Sequence, residues 1–563
     1  MGLHTQLYER VYLMKKFLRV FCLLLALSFV LTAFAACGEK ETDTTTKPSK
    51  TTTASQNQDD PPDKWKDISF KGQKLHIWIN DFIADPNIRL ANVNPCIDYM
   101  RGLDDTDETA ANTVLAEATE RYDRVLSILG LEKDDVQYTP TGWKGNGNTV
   151  LSDIRAMVTA NQKDGPSLII HANYGLVRAG ITGLLYNVYD KDQDNYFDLK
   201  DKGWYLDMME ENTIDKSKIY MLFGDFFIDQ FRMAYGVLAN TTRIEERYRS
   251  GMKIGGTAAL FAHVLDGFWT YDTMMEIADV CRQDNGGDWN NLSIMGAIGP
   301  TSWCVRPLFA TSGLDIFQRD ENGKVTYRAD VRELHDWLDT LINMEKEPWF
   351  AYNWEDTEHS SSPALNPNKD TASTTFAEGR AAFALGQAVA TFESPLIQNM
   401  HDNCAFLPTP RYHEEVESTE FDDIKKLYGA LTSDVANSGG ILITAKPEDF
   451  TLSSAFLQLM AENSESFMEE YYETNLMIKV NQSNSQQQMQ MIRIVHDGLC
   501  SPMSMLYDNY CAQSTSGIRT FSSIMCDSLD KQSNTFVSDW ESELGPRTAQ
   551  WEKLVTNFGK RTD

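Results

Sequence analysis

"GPSLIIHAN", residues 165–173, enters through a Gly-Pro turn, runs through Leu168, Ile169 and Ile170 without alternation, and leaves at Asn173. A strand with one wet face alternates apolar and polar residues, whereas one covered on both faces, as in a parallel sheet, does not. The run therefore predicts a buried parallel strand. Upstream, "DIRAMVTAN" (153–161) carries helical spacing. A longer helix is predicted over 108–129, where Ala111, Val114, Leu115, Ala118, Tyr122, Val125, Leu126 and Leu129 share one face. Before it, "QKLHIWIND" (73–81) alternates Leu75, Ile77 and Ile79 with His76 and Trp78, which reads as a strand. Strand, helix, helix, strand is the order of an α/β fold.

The pattern continues downstream. "IYMLFGDFF" and "FRMAYGVLAN", within 219–240, read as further strands. Residues 269–287 predict a helix capped by Thr270 and stopped at Gly286–Gly287. Residues 331–344 form an amphipathic pattern, 379–386 and 439–444 read as strands, and 448–473 is largely helical. No internal repeat is evident.

The N-terminal part is different. Lys15, Lys16 and Arg19 precede an apolar run over 20–35, the length of a secretion signal and short for a span. Ala33, Ala35 and Ala36 are small, and Cys37 follows directly. This junction resembles the lipobox of bacterial lipoproteins. The resemblance implies cleavage after residue 36, a diacylglycerol thioether on Cys37, and anchoring by acyl chains at about 0.8 kcal/mol per buried CH2. Met14 is a more natural start than Met1. Residues 37–64 then read as the lipidated cysteine and a disordered tether, because their Thr-rich polar composition buries too little to fold.

Composition narrows the partners. The chain carries 51 basic and 81 acidic residues, a net charge of −30. Loss of residues 1–36, with four bases and one acid, leaves 47 against 80, or −33. Such acidity disfavours nucleic acid and anionic lipid as partners. Seven cysteines lie beyond Cys37, scattered and without CxxC spacing, so no zinc site or disulfide framework is readable. Cys500 and Cys511 are a conceivable bridge, disfavoured here.

Several blocks then fall in one order: "KLHIWIND", "GPSLIIHANYGLVRAGITGLLYNVYD", "AYGVLANTTRIEERY", "GFWTYDTMMEIADVCR", "TTFAEGRAAFALG", "AFLPTPRY" and "SGGILITAKPEDFTLSSAFLQLM". The series, over roughly 70–480 behind a lipobox, resembles the extracellular solute-binding proteins of bacterial ABC importers, the carbohydrate-binding group in particular. The resemblance implies an α/β, two-lobed periplasmic-binding-protein-like fold with hinge crossings and a central cleft. Lobe one would comprise 68–236 and 410–480, and lobe two 241–405 and 485–563. Residues 480–563 match least and read as helices closing lobe two plus extra decoration. The implied protein is no enzyme. It is a monomer on the outer face of the bacterial cell membrane, held there by its lipid alone, that captures a sugar or oligosaccharide and passes it to ABC permease subunits, with no cofactor.

Aromatic residues make up 11% of the chain, twelve of them Trp. Flat rings cover the C–H faces of a pyranose, while carboxylates and amides bind its hydroxyl rim. Candidates at strand ends and crossings are Asn80, Asp81, Asn173, Tyr174, Tyr235, Asn240, Trp303, Phe392, Glu393, Ser438 and Gly439. Against each stands the plainer reading of core aromatic or turn cap. A rival site is "DKDQDNYFDLKD" (190–201), which places Asp190, Asp192, Asp194, Asp198 and Asp201 at the ligand positions of an EF-hand-like calcium loop. Asn195 replaces the required Gly and Asp201 replaces Glu, so an acidic surface loop is the stronger reading. No Gly-x-Ser-x-Gly, His-Glu-x-x-His, Walker A or dinucleotide motif occurs. A surface lipoprotein glycosidase or carbohydrate adhesin is the alternative, since two distant carboxylates can meet in space.

Overall fold

Continuous apolar runs pair into two main sheets, amphipathic helices cover them, and two short two-stranded pairs, one parallel and one antiparallel, lie beside them. The structure is a computed structural model that describes residues 63–80, 96–102, 113–141, 147–160, 165–190, 194–248, 255–283, 293–299, 301–347, 350–352, 372–412, 427–477, 479, 485–513 and 517–560. Cys37, and with it the lipid-anchor expectation, lies outside them, as do Asp81 and Asp192.

The strands in chain order are β1 (Leu75–Ile79), β2 (Val136–Pro140), β3 (Leu168–Ala172), β4 (Tyr235–Asn240) and β5 (Met295–Gly299). There follow β6 (Phe317–Arg319), β7 (Val325–Tyr327), β8 (Phe350–Tyr352) and β9 (Ala381–Ala388). The last are β10 (Cys404–Leu407), β11 (Ala430–Leu431), β12 (Asn437–Ile441) and β13 (Leu499–Cys500). The helices used below are α1 (Thr113–Leu129), α2 (Gly147–Thr159), α3 (Asn173–Ile181), α4 (Leu206–Glu211) and α5 (Asp229–Arg232). After these come α6 (Thr241–Arg247), α7 (Tyr271–Cys281), α8 (Thr301–Ala310), α9 (Arg332–Glu345) and α10 (Pro447–Glu462). The chain closes with α11 (Glu465–Tyr471), α12 (Ser485–Asp497), α13 (Met503–Gln513), α14 (Phe521–Asp530) and α15 (Phe536–Asn557).

The first sheet has the order β12-β3-β1-β2, with β1 parallel to both neighbours and β12 antiparallel to β3. The second has the order β10-β4-β9-β5-β8, with β9, β5 and β8 parallel and β4 antiparallel to its neighbours. All five residues of β3 are buried, as the unalternating run predicts, and β1 buries Leu75, Ile77 and Ile79 while half-exposing His76 and Trp78. The predicted face of α1 is buried from Val114 to Leu129. Thr270 caps α7 by accepting from the Thr273 N–H.

Two expectations differ: α7 ends at Cys281, where Arg282 turns extended, and not at Gly286–Gly287, and one expected strand is absent. Residues 219–227 are not a strand. Leu222 bridges Gly439 and Gly224 bridges Trp204, two different segments, so no ladder continues, and the Asp225 carbonyl accepts from Arg121 and Ser464. The segment 448–473 is largely helical, as expected, in two helices, α10 and α11, separated at Asn463–Ser464. Residues 485–560 add α12 to α15; α12 packs on β10, α13 on α3, α14 on α8 and α15 on β7. The described residues form one compact unit, with a hydrophobic core that runs through both sheets. A smaller cluster gathers Tyr99, Phe231, Phe392, Phe406 and Tyr471. No helix among the described residues is long and apolar enough to cross a membrane.

Candidate functional site

The carboxyl ends of β1 and β3 and the start of β12 lie on one edge of the first sheet, since Asn437 pairs with Ala172. The carboxyl ends of β5, β8, β9 and β10 and the start of β4 share an edge of the second, since Tyr235 pairs with Ala388. The chain crosses between the sheets through α5 into β4 and returns through β11 into β12. At that seam the polar groups find one another.

Asn80 Nδ2 donates to Asn437 Oδ1 at 2.9 Å, and Asn437 donates through both its backbone N and Nδ2 to Asp229 Oδ2 at 2.9 Å. Gln230 Nε2 donates to the Asn437 carbonyl at 2.6 Å and to Asn173 Oδ1 at 3.0 Å. Asn173 Nδ2 in turn reaches the Ser433 carbonyl at 3.3 Å, and the Tyr235 hydroxyl donates to Ser433 Oγ at 3.3 Å. All these side chains are buried, so each needs its partner to offset desolvation.

Beside this amide chain lies a buried ionic group. Arg232 donates Nε and Nη2 to the two Glu393 oxygens at 2.8 and 2.6 Å, and Nη1 to Asp229 Oδ1 at 3.3 Å. The Tyr471 hydroxyl completes Glu393 at 2.6 Å. Burial pushes the Asp229 carboxyl up against the opposing pull of Arg232 and Asn437. Burial also works against the charged form of Arg232, but Glu393 outweighs it and holds the guanidinium well above its ordinary value.

Toward solvent the seam carries Tyr174, half-buried in the first turn of α3. Its N–H donates to the Asp434 carbonyl at 3.1 Å, and its own carbonyl accepts from Arg178 Nε at 3.2 Å. Arg306, in α8, pairs with Asp434 at 3.0 Å. Burial, helped by Asp434, pushes the Tyr174 phenol up to about 12.

The structure thus brings together Asn80, Asn173, Tyr174, Tyr235 and Glu393. Ser438 lies one residue beyond Asn437, opposite His171, with its hydroxyl buried. Trp303 falls in the first turn of α8, its side chain outside the described part. Three candidates serve packing instead. Asn240 sits at the far end of β4, where it caps α6 by accepting from the Arg243 N–H and donates to Asp402 at 2.9 Å. Phe392 packs edge-on to Phe406, and a Cβ on Gly439 would lie 3.0 Å from Phe226.

The seam also uses residues that the sequence does not single out: Asp229, Gln230, Arg232, Ser433, Asp434 and Asn437. The signal available for the first three is polarity, two charges and an amide, inside an otherwise apolar run, "FFIDQFRMAYGV".

In the acidic loop, Asp201 accepts from Gln458 at 2.8 Å and pairs with Lys64 at 3.2 Å, while Asp198 accepts from the Lys200 N–H at 3.3 Å. No cluster able to hold a metal ion occurs among the described residues. Cys500 and Cys511 are free thiols.

Two clefts open on the same molecule. One, of about 940 Å³, is lined by α4, the end of α8, Arg411, Tyr428 and Cys500. The other, of about 910 Å³, is lined by Trp204, Tyr205, Asp225, Glu469, Tyr472 and His496. They share Asp207, Met208, Asp497 and Leu499, and neither is lined by a sequence candidate.

No protein-family model matches the chain, and no curated protein matches it. Among solved structures, the chain is similar to the crystal structure of a cyclo/maltodextrin-binding protein complexed with maltotetraose. The identity is 12% and the TM-score 0.46, over 86% of this chain and 96% of that one.

Proposed function

We propose that this chain is a lipid-anchored, extracytoplasmic solute-binding protein that takes a sugar or oligosaccharide between its two sheets and delivers it to an ABC permease. One observation carries the reading. Asn80, Asn173, Tyr174, Tyr235 and Glu393, together with the 433–437 turn, come from segments far apart in the chain yet gather where the carboxyl edges of both sheets meet. Ligands of open α/β sheets bind at such edges. In this reading each sheet belongs to one lobe, and α5–β4 and β11–β12 are the hinge segments. A ligand touching both sides favours the closed state by its differential affinity alone. The amide and carboxylate groups suit a hydroxyl rim, and Tyr174 offers a ring face. The neighbouring ATPase, not this chain, would supply transport energy.

The test is thermal melting and calorimetry of the purified protein against a carbohydrate panel, with the supernatant assayed for new reducing ends. A sugar at 100 times its Kd raises stability by about 2.7 kcal/mol and leaves the sugar intact. Release of product would replace the binding protein with a glycosidase, and no shift with any sugar would remove carbohydrate as the ligand.

A further inference from the structure

Helices α13 to α15, α9 and the β6–β7 pair make a layer that is carried on one side of the molecule and reaches the other. Helix α14 packs on α8 and α9, α15 on β7 and α9, α9 on β8 and α8 on β9, so the layer rides on the second sheet. Its far edge meets the first sheet's side. Arg319 of β6 donates Nη2 to the Thr213 carbonyl at 2.8 Å and Nη1 to the Ile214 carbonyl at 3.2 Å. The Tyr507 hydroxyl of α13 donates to the Asn212 carbonyl at 2.9 Å, and the Tyr510 ring lies 5.4 Å from the Arg178 guanidinium of α3. Past the end of α15, the Gly559 N–H donates to the Ile181 carbonyl at 3.0 Å, and Phe558 packs edge-on to Tyr220 at 5.5 Å. Helix α3, which ends at Ile181, packs on β12, and the segment after α4 returns to β12 where Leu222 bridges Gly439.

These contacts differ in kind from those that hold each sheet. They are single hydrogen bonds to carbonyls and ring contacts, and among the described residues no strand ladder runs from the layer to the first sheet. Such bonds are individually weak, because water competes for both partners. Space remains around them. A cavity of about 20 Å³ lies between Ile181, Tyr220, Phe223, Tyr507 and Phe558. The cleft of about 940 Å³ separates α4 from the end of α8, with Arg319 in its lining. The last contact is nevertheless specific. Gly559 has a φ of 68°, and a Cβ there would collide with the Tyr220 hydroxyl, so only glycine seats the chain against Ile181.

Resting on the two-lobed part of the reading above, we infer that the C-terminal layer is a releasable strap: carried by the second sheet's lobe, it clips to the first through Arg319, Tyr507 and Phe558–Gly559 and biases the solute-free protein toward the arrangement that assembles the seam. The strap is a bias and not a lock, since its contacts break one at a time while both sheets keep their ladders. A solute that touches both lobes adds its differential affinity to an equilibrium already tilted the same way. Its apparent affinity is then reduced less by the fraction of molecules standing open.

Pulsed electron resonance on the full-length, solute-free protein tests this directly. Spin labels on non-natural amino acids go at Ser127 of α1 and Asp279 of α7, exposed positions on the two sides. The protein with an intact strap should give one narrow distance distribution. Phe558→Ala and Arg319→Ala should each broaden it about twofold, and the double variant more. Gly559→Ala, which keeps every side-chain partner but blocks the seating, should act like Phe558→Ala. Retained far-ultraviolet circular dichroism separates a released strap from a lost fold, and the three single variants decide the matter if the double variant does not fold. Distributions as narrow in all three single variants as in the intact protein overturn the strap, as does a distribution already broad when the strap is intact. No sugar enters this experiment, so the strap can fail while sugar binding stands. Absence of binding to every sugar of the panel overturns the carbohydrate reading and leaves the distance result in place.

Discussion

Arg232 and Glu393, 161 residues apart, meet as a two-pronged ion pair at 2.8 and 2.6 Å with almost no exposed side-chain surface. Taking two charges out of water is costly, and only close geometry with extra hydrogen bonds offsets it. Tyr471 and Asp229 supply those bonds. Glu393→Ala leaves the guanidinium short of its main partner and should lower stability by about 3–5 kcal/mol in urea unfolding. The double variant Arg232→Met/Glu393→Leu should regain most of that loss, because Asp229 keeps its two bonds from Asn437. Equal destabilisation in the single and double variants would count against a pair whose worth lies in mutual compensation.

The strands around this pair are legible from the sequence because burial on both faces leaves a simple trace: β3 and β9 are apolar runs, and β1 alternates. The failed strand at 219–227 is as apolar as the others. Its backbone bonds are divided instead between segments far apart in sequence, Leu222 with Gly439 and Phe223 and Asp225 with the 203–205 turn. The site divides the same way. Asn80, Asn173 and Tyr235 are readable because they close or open strands. Their partners are not, because the bond from Gln230 to Asn437 spans 207 residues and no local pattern announces it. Asn240 resembles them in sequence, yet the helix that starts immediately after it converts a strand-end amide into a cap.

That contrast is testable. Asn240→Ala removes a side-chain cap and its bond to Asp402, so stability should fall by about 1–2 kcal/mol with ligand affinity unchanged. Tyr174→Ala, at a half-buried position on the solvent side of the seam, should do the opposite: little loss of stability and a drop in affinity of roughly tenfold. Chemical denaturation and calorimetry on both variants decide it. Reduced affinity in the Asn240 variant at full folding would return that residue to the site.

His496 predicts an alkaline loss of stability. Its Nε2 lies 3.0 Å from Asp225 and its Nδ1 3.4 Å from Asp497, with the Tyr205 hydroxyl 3.2 Å from Nε2 and Tyr472 and Phe231 as ring neighbours. Burial opposes the imidazolium, but Asp225 and then Asp497 outweigh it and raise its pKa from the usual 6.5 to about 10. A pKa raised on folding adds stability that is complete below 6.5 and disappears as the pH climbs through 10. Part of the ring touches solvent, so the contribution is of the order of 2 kcal/mol. Unfolding free energy should fall between pH 6.5 and 10 in the wild-type protein and stay flatter in His496→Gln. Parallel profiles for the two proteins would remove His496 as the cause.

The proposed anchor gives a prediction for Cys37, outside the described residues. An alkyne-tagged fatty acid fed to expressing cells should label the wild-type protein and not Cys37→Ser. The variant should move from the membrane fraction to the soluble one, since a single thioether carries the attachment. Membrane retention of Cys37→Ser at wild-type level would point to the apolar run over 20–35 as an uncleaved anchor instead.

Helix α15 is held to the β6–β7 pair largely through aromatic residues. Trp551 Nε1 donates to the Val325 carbonyl at 2.7 Å, and its ring packs on Phe317 at 4.5 Å and near Tyr327 and Tyr507. Trp540, stacked on Phe536, donates to the Arg328 carbonyl at 3.1 Å. Trp551→Ala opens a cavity and orphans a buried carbonyl, which should cost about 3–5 kcal/mol. The loss falls first on α15, because only its aromatic face is removed while both main sheets keep their ladders. Limited proteolysis with mass spectrometry should therefore show early cuts within 536–557 and a surviving fragment that retains β1 to β12. Cuts distributed evenly along the chain would mean that this helix and the sheets unfold as one cooperative unit.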